Sequence, residues 1–152
     1  MAAAEFTSFM QDAIRLAREA QEAGEVPVGA VVVHDGAIIG RGHNRTKTDH
    51  DPSAHAEIMA MRQAARHLGS ERLTGCDLWV TLEPCTMCAG AISHARIQRL
   101  YYAAADPKGG AIENGVRFFD TPSCHHRPEL YTGMMEDAAA ALLKGFFAAR
   151  RK

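Results

Sequence analysis

No stretch of this 152-residue chain approaches the roughly 18 consecutive apolar residues that a membrane-crossing helix needs. The opening "MAAAEFTSFMQDAIRLA" has no basic segment followed by an apolar one, so it does not read as a secretory signal, and the chain is expected to stay in the cytoplasm. An excess of either charge is missing as well. With 17 Lys and Arg against 18 Asp and Glu, the net charge is -1, which excludes a general polycation. Any nucleic-acid contact must therefore rest on a local basic patch, for which the terminal "AARRK" is the best candidate. There are only four cysteines, and in a cytoplasmic chain they read as metal ligands or buried thiols rather than bridges. Internal repeats and linkers are absent too. One domain over residues 1–152 is expected, and a hydrophobic fraction of 47% can fill its core without disulfides.

What is present is a regular alternation of helical and extended patterns. Residues 5–23 place Phe6, Phe9, Met10, Ala13, Ile14 and Ala17 at three- and four-residue spacing, the stripe of an amphipathic helix that Gly24 ends. "VPVGAVVVHDGAIIGRGHN" reads as two strands around Asp35-Gly36, a dipeptide suited to a tight hairpin turn. "AHAEIMAMRQAARHLG" is a second helix ended by Gly69, with its start expected at Asp51-Pro52 or Ser53. "CDLWVTL" is an apolar strand running into "EPC", "CTMCAGAISHARI" is helical, "QRLYYAAAD" is a strand and "TGMMEDAAAALLKGFFAARR" is a long terminal helix. The order predicts an α/β layered domain with helices on both faces of one sheet. Between Asp106 and Glu129 no period survives, and a long irregular segment of this kind is often functional.

The chemistry concentrates at two places. Cys85 and Cys88, three apart in the first turns of a helix, lie on one side of it, and both sulfurs can reach one zinc ion at about 2.3 Å. The positive end of that helix favours their thiolate form. His55 and Glu57 stand at the start of the other helix, and residues two apart on a helix do not face each other. Both can still approach one site beyond the helix end. His55, Cys85 and Cys88 make three ligands, leaving a tetrahedral zinc one position for water, and Glu57 is then the general base that takes and returns the proton.

Weaker readings stand beside this one. C-x-x-C alone also marks structural zinc half-sites and redox pairs, and His-x-Glu alone is common on helix surfaces. A structural zinc needs a fourth ligand, for which Cys124, His125 and His126 are the compact candidates and Cys76 stands just before the strand leading to the site. These four read more simply as buried thiols, caps or loop polar groups. His34, His43, His50, His67 and His94 have no partner at ligand spacing.

On "EVPVGAVVV", "GHNR", "DPSAHAEIMAMR", "TLEPCTMCAGAISHARI", "ADPKGGA" and "LLKGFFAARRK", nearly the whole chain resembles the bacterial tRNA-specific adenosine deaminases, which have the cytidine-deaminase-like fold. The combined H-x-E…P-C-x-x-C pattern is the signature of all such zinc deaminases. The resemblance implies a three-layer α/β/α fold with a mixed sheet of about five strands and one zinc on His55, Cys85 and Cys88. It implies Glu57 as proton shuttle, and hydrolytic conversion of the wobble adenosine of a tRNA anticodon to inosine by a homodimer. It also implies that Asn44 bonds the purine or its ribose while Val28 packs on the base, that Ala56 and the backbone from Leu82 to Pro84 line the pocket, and that Asp106, Lys108, Phe147, Arg150 and Arg151 hold neighbouring nucleotides. Without it, Asn44 merely ends a strand, Val28 and Phe147 are core, and the basic tail is a solvated charge cluster. Two other activities share parts of the pattern: deamination of a free base or nucleoside such as guanine, cytosine or cytidine, and nucleic-acid binding by a module with a closed structural zinc.

Overall fold

The computed structural model describes residues 6–150. Its elements run α1 (Met10–Glu22), β1 (Gly29–His34), β2 (Ala37–His43), α2 (Ala56–Leu68), β3 (Asp77–Leu82), α3 (Thr86–Ala95), β4 (Arg99–Ala104), a 3-10 turn (Phe118–Asp120), β5 (Glu129–Thr132) and α4 (Glu136–Arg150). The strands form one sheet in the order β2-β1-β3-β4-β5. β1 is antiparallel to both neighbours, while β3, β4 and β5 are parallel, so the sheet is mixed and has five strands. Among the described residues no helix is long and apolar enough to cross a membrane.

Strand alternation sorts the core into two slabs. Ala30, Val32, Leu78, Val80, Leu100 and Tyr102 pack against Ala56, Ala60 and Ala64 of α2 and Ala89 and Ile92 of α3. The residues between them, Val31, Val33, Trp79, Tyr101 and Ala103, pack against Met10, Ala13 and Ile14 of α1 and Ala139 of α4. The three layers of the resemblance are thus present, with every central strand buried on both faces.

Three boundaries differ from expectation. α1 begins at Met10, with Phe9 as its N-cap and Phe6 outside it, 65% exposed. α2 begins at Ala56 because the Asp51 carboxylate is taken by the amide and hydroxyl of Ser53 in a turn of its own, at 2.9 and 2.7 Å. The terminal helix begins only at Glu136, after β5, Gly133 and a left-handed Met135. β5 escaped the pattern because it is four residues long and largely exposed, with no apolar alternation. Its place is marked instead by Tyr131, paired with and stacked on Tyr101, which lies flat against Trp79 at 3.7 Å between ring centres.

The Asp35-Gly36 turn has positive φ at both residues, as a two-residue hairpin of this twist requires. Gly42 serves a different need. A Cβ there would stand 2.6 Å from both the Ala56 carbonyl oxygen and the Ala60 nitrogen, so only glycine lets β2 lie this close beneath the first turns of α2. That contact sets the height of the helix end that carries His55 and Glu57. Gly42→Ala is expected to cost about 1–3 kcal/mol, as overpacking does, and to lower the urea midpoint at unchanged slope. An unshifted midpoint would show that α2 is free to lift.

Candidate active site

The C-terminal end of β3 and the N-terminal ends of α2 and α3 converge on one point. His55 is the N-cap residue of α2 and Cys85 that of α3, and neither side chain caps its own helix. Both are left free to face each other. The α2 amide of Ala56 is satisfied from outside, by the Asn44 Oδ1 at 3.1 Å. His55 Nδ1 lies 3.6 Å from the Cys85 Sγ and 3.6 Å from the Cys88 Sγ. All three ligand atoms fall within 4.8 Å of one another.

This spacing tests the fit of a metal. Tetrahedral zinc with its usual bond lengths to sulfur and nitrogen places those two atoms about 3.5 Å apart. Two thiols and an imidazole are the soft and borderline ligands that zinc takes, and their atoms also stand within sulfur hydrogen-bond reach of one another. Electrostatics of the protein alone already lean that way. The hydrogen bond from Cys88, helped by His55, pulls the Cys85 thiol down to about 4 despite its burial. Cys88 shifts upward in exchange, through the same hydrogen bond and its burial, and the Cys85 partnership raises His55.

Glu57 sits in the first turn of α2 and is only 4% exposed. Burial pushes its carboxyl up to about 7, and the neighbouring Cys85 adds to that. Its side chain lies beside the cysteines and lines the same cavity as His55 and Cys85 without belonging to the donor triangle.

Val28, Asn44, His55, Glu57 and Cys85 line one cavity of about 220 Å³, together with Leu82, Asp106 and Gly109. This is small for a ligand site and suits a single planar ring system. A wider cavity of about 770 Å³ shares Val26, Leu82, Asp106 and Gly109 with it and is walled by Lys108, Phe147 and Arg150. Ala56 is fully buried in the core slab rather than on either wall. Asp106 spends one carboxylate oxygen on its own turn, accepting the amides of Lys108 and Gly109. Phe146 is buried, with the Arg150 guanidinium 3.6 Å from its ring centre, while Phe147 is 47% exposed at the cavity. Arg151 lies outside the described residues.

The other cysteines and histidines stay apart. Cys76 is fully buried, and its thiol is pushed up to about 11. Cys124 bonds the His126 carbonyl at 3.1 Å and contacts Ser93, whose hydroxyl accepts the His126 amide, so this segment pins the loop to the end of α3. His126 turns its ring to the Ile97 carbonyl. Among the described residues, none of these joins the His55–Cys85–Cys88 triangle.

Two buried carboxylates were not found in the sequence. Glu83, 2% exposed, accepts the amides of Asp106, Ile112, Glu113 and Asn114 and the Asn114 side-chain amide, all within 2.7–3.1 Å. Glu25, 1% exposed, accepts the Thr48 amide and hydroxyl at 2.7 Å and the Lys47 amide at 3.3 Å. Each clamps a loop that borders the cavity, one carrying Asp106 and Gly109, the other leading from Asn44 to His55. The only sequence signal is a lone acid directly beside an apolar strand, in "LEPC" and "GEVPV".

Comparison with known proteins places this geometry. A family model described as MafB19-like deaminase matches residues 4–151. The tRNA-specific adenosine deaminase of Agrobacterium fabrum (strain C58) is 58% identical over 148 residues, 97% of each chain. A solved structure from a study of A-to-I editing by tRNA:A34 deaminases at the wobble position of transfer RNA superposes with a TM-score of 0.88 at 59% identity, over 89% of this chain and 98% of that one. The guanine deaminase of Bacillus subtilis is more distant, with 36% identity and a TM-score of 0.63 over 95% of both chains.

Glu25 makes the clamp testable by pH. Its burial alone would raise the carboxyl, but the hydrogen bonds from Thr48, Lys47 and Thr46 outweigh this and hold it below 4.5. A depressed folded-state pKa contributes stability above the unfolded value, and that stability is lost as pH falls through the folded one. Glu25→Gln is expected to lose about 1–3 kcal/mol at pH 7, with the gap to the parent closing below about pH 4.5. Urea unfolding across pH reads it; a gap independent of pH would show that the charge is not what binds the loop.

Proposed function

The chain belongs to the MafB19-like deaminase family and, within it, to the tRNA-specific adenosine deaminases, and from this we propose that its small cavity takes one adenine from the wobble position of a tRNA anticodon and converts it to inosine. The observation that carries the reading is the donor triangle at zinc spacing with Glu57 beside it on the wall of a cavity sized for one planar base. His55, Cys85 and Cys88 would hold the ion. When bound, zinc supplies Lewis acidity that makes water a nucleophile near neutral pH.

The protein's own groups do the rest. An adenine cannot present C6 while stacked, so the base leaves the loop and enters the cavity, where Val28 packs on its ring and the free amide of Asn44 reaches the purine or its ribose. Water adds to C6 as Glu57 takes its proton and returns it to ring N1. Glu57 then collects the proton of the new hydroxyl and gives it to the amino group, which leaves as ammonia. Burial suits Glu57 to both halves of that exchange, because it holds a proton more readily than an exposed carboxyl does. Lys108, Phe147 and Arg150 border the wider cavity, where a neighbouring nucleotide finds a cation for its phosphate and a ring for its base, with Asp106 on the shared wall and Arg151 following in the chain. The family resemblance supports a cytoplasmic homodimer.

A second reading rests on the likeness to guanine deaminase, whose substrate is a free base. Incubation with tRNA and, separately, with guanine, cytosine and cytidine divides the two. Inosine at the wobble position is expected in tRNA alone; turnover of a free base with unmodified tRNA would reject the assignment. Glu57→Gln should retain about one zinc per chain by elemental analysis and lose turnover by about 10²–10⁴-fold. Full activity in that variant would remove Glu57 from the proton path.

A further inference from the structure

The wider cavity beside Phe147 and Arg150 accounts for only one flank of a flipped nucleotide. A base drawn from the middle of a loop leaves a strand running away on both sides, and the second strand needs its own surface. Beyond Asn44 lies a groove of about 280 Å³ whose wall includes Arg41, His43, Arg45, Arg62 and Arg66. It is joined to the small cavity by three successive residues: His43 and Arg45 line the groove, and Asn44 between them lines the cavity. Gathering four arginines is unusual for a chain whose net charge is -1.

We propose that this arginine groove along β2 and α2 holds the sugar-phosphate backbone of the RNA on the Asn44 side of the cavity, on a surface that shares no residue with the one around Phe147, so that the substrate is gripped at two places beside the reacting base. The inference rests on the tRNA reading given above. Arg62 and Arg66 stand one turn apart on α2, which aligns their guanidinium groups along the groove. Two acids temper the charge: Arg45 is paired with Asp49 at 2.9 Å, and Arg62 stands 3.8 Å from Asp51. Arg41 and Arg66 have no acidic partner among the described residues, and their side chains make no hydrogen bond there. They are the cations open to phosphate, which guanidinium binds in bidentate fashion. Because they hold nothing in the fold, their removal tests binding rather than folding.

Binding of an anticodon stem-loop RNA to the full zinc-loaded chain, followed by fluorescence anisotropy from roughly 50 to 200 mM KCl, gives the slope of log K against log salt. Each phosphate contact contributes about 0.7–0.9 to that slope, so the double variant Arg41→Gln, Arg66→Gln should flatten it by about 1.5 and weaken binding severalfold. Arg72→Gln, which removes half as much charge at an exposed position outside the groove, should leave slope and affinity as in the parent. A double variant that keeps the parent slope overturns the groove, and so does a loss in Arg72→Gln about half as large as that of the double variant, which would indicate a diffuse field. The readout needs no turnover: a parent that binds with the expected slopes but makes no inosine rejects the activity while retaining the groove.

Discussion

One imidazole nitrogen stands 3.6 Å from each of two sulfurs, a spacing that the neutral groups tolerate by hydrogen bonding and that two thiolates tolerate only with positive charge among them. The rest of the structure answers that demand. Two helix N-termini point at the site and favour anionic sulfur. The cap positions of those helices are given to His55 and Cys85 rather than to Ser, Thr, Asp or Asn, which would close each helix on itself. α2 then needs its first amide satisfied from elsewhere, and Asn44, one residue beyond β2, supplies the oxygen. A residue assigned to substrate by resemblance thus also has a structural task, and both can coexist because its amide nitrogen remains available.

Precision at the site comes from parts that hold no metal. Gly42 fixes how closely α2 approaches the sheet, and the parallel pairing of β3 with β4 sets where the chain turns at Glu83-Pro84 into α3. Glu25 and Glu83 are buried charges whose cost is offset by four or five hydrogen bonds each. They tie the two loops beside the cavity to the chain next to β1 and β3. Rigid walls suit a reaction in which the same carboxylate must meet a ring nitrogen and then an amino group without searching.

The sequence marked the side chains that the fold brings together better than the geometry around them. His55, Glu57, Cys85 and Cys88 stood out because their types and spacing have few other uses together, and the strands of the core stood out because both faces are buried and read as apolar runs. β5 did not, since a short exposed edge strand leaves no periodic trace, and its identity lies in the stacking of Tyr131 on Tyr101. The start of α2 was misplaced because Asp51 looks like a cap but bonds its own turn. Glu25 and Glu83 were missed because partners that make a buried acid tolerable come from loops distant in sequence, a relation no local pattern records.

On this account a narrow slot for one planar base, bordered by cationic and aromatic surfaces, would recognise the substrate, with the proposed metal and Glu57 at its bottom. All of it depends on an ion with one coordination position open to solvent. X-ray absorption at the zinc edge of the purified protein tests this most directly. Two sulfurs at about 2.3 Å, one nitrogen near 2.0 Å and one further light atom displaced by a competing ligand are predicted; a saturated shell of four protein donors, or no zinc bound by His55, Cys85 and Cys88, would contradict it.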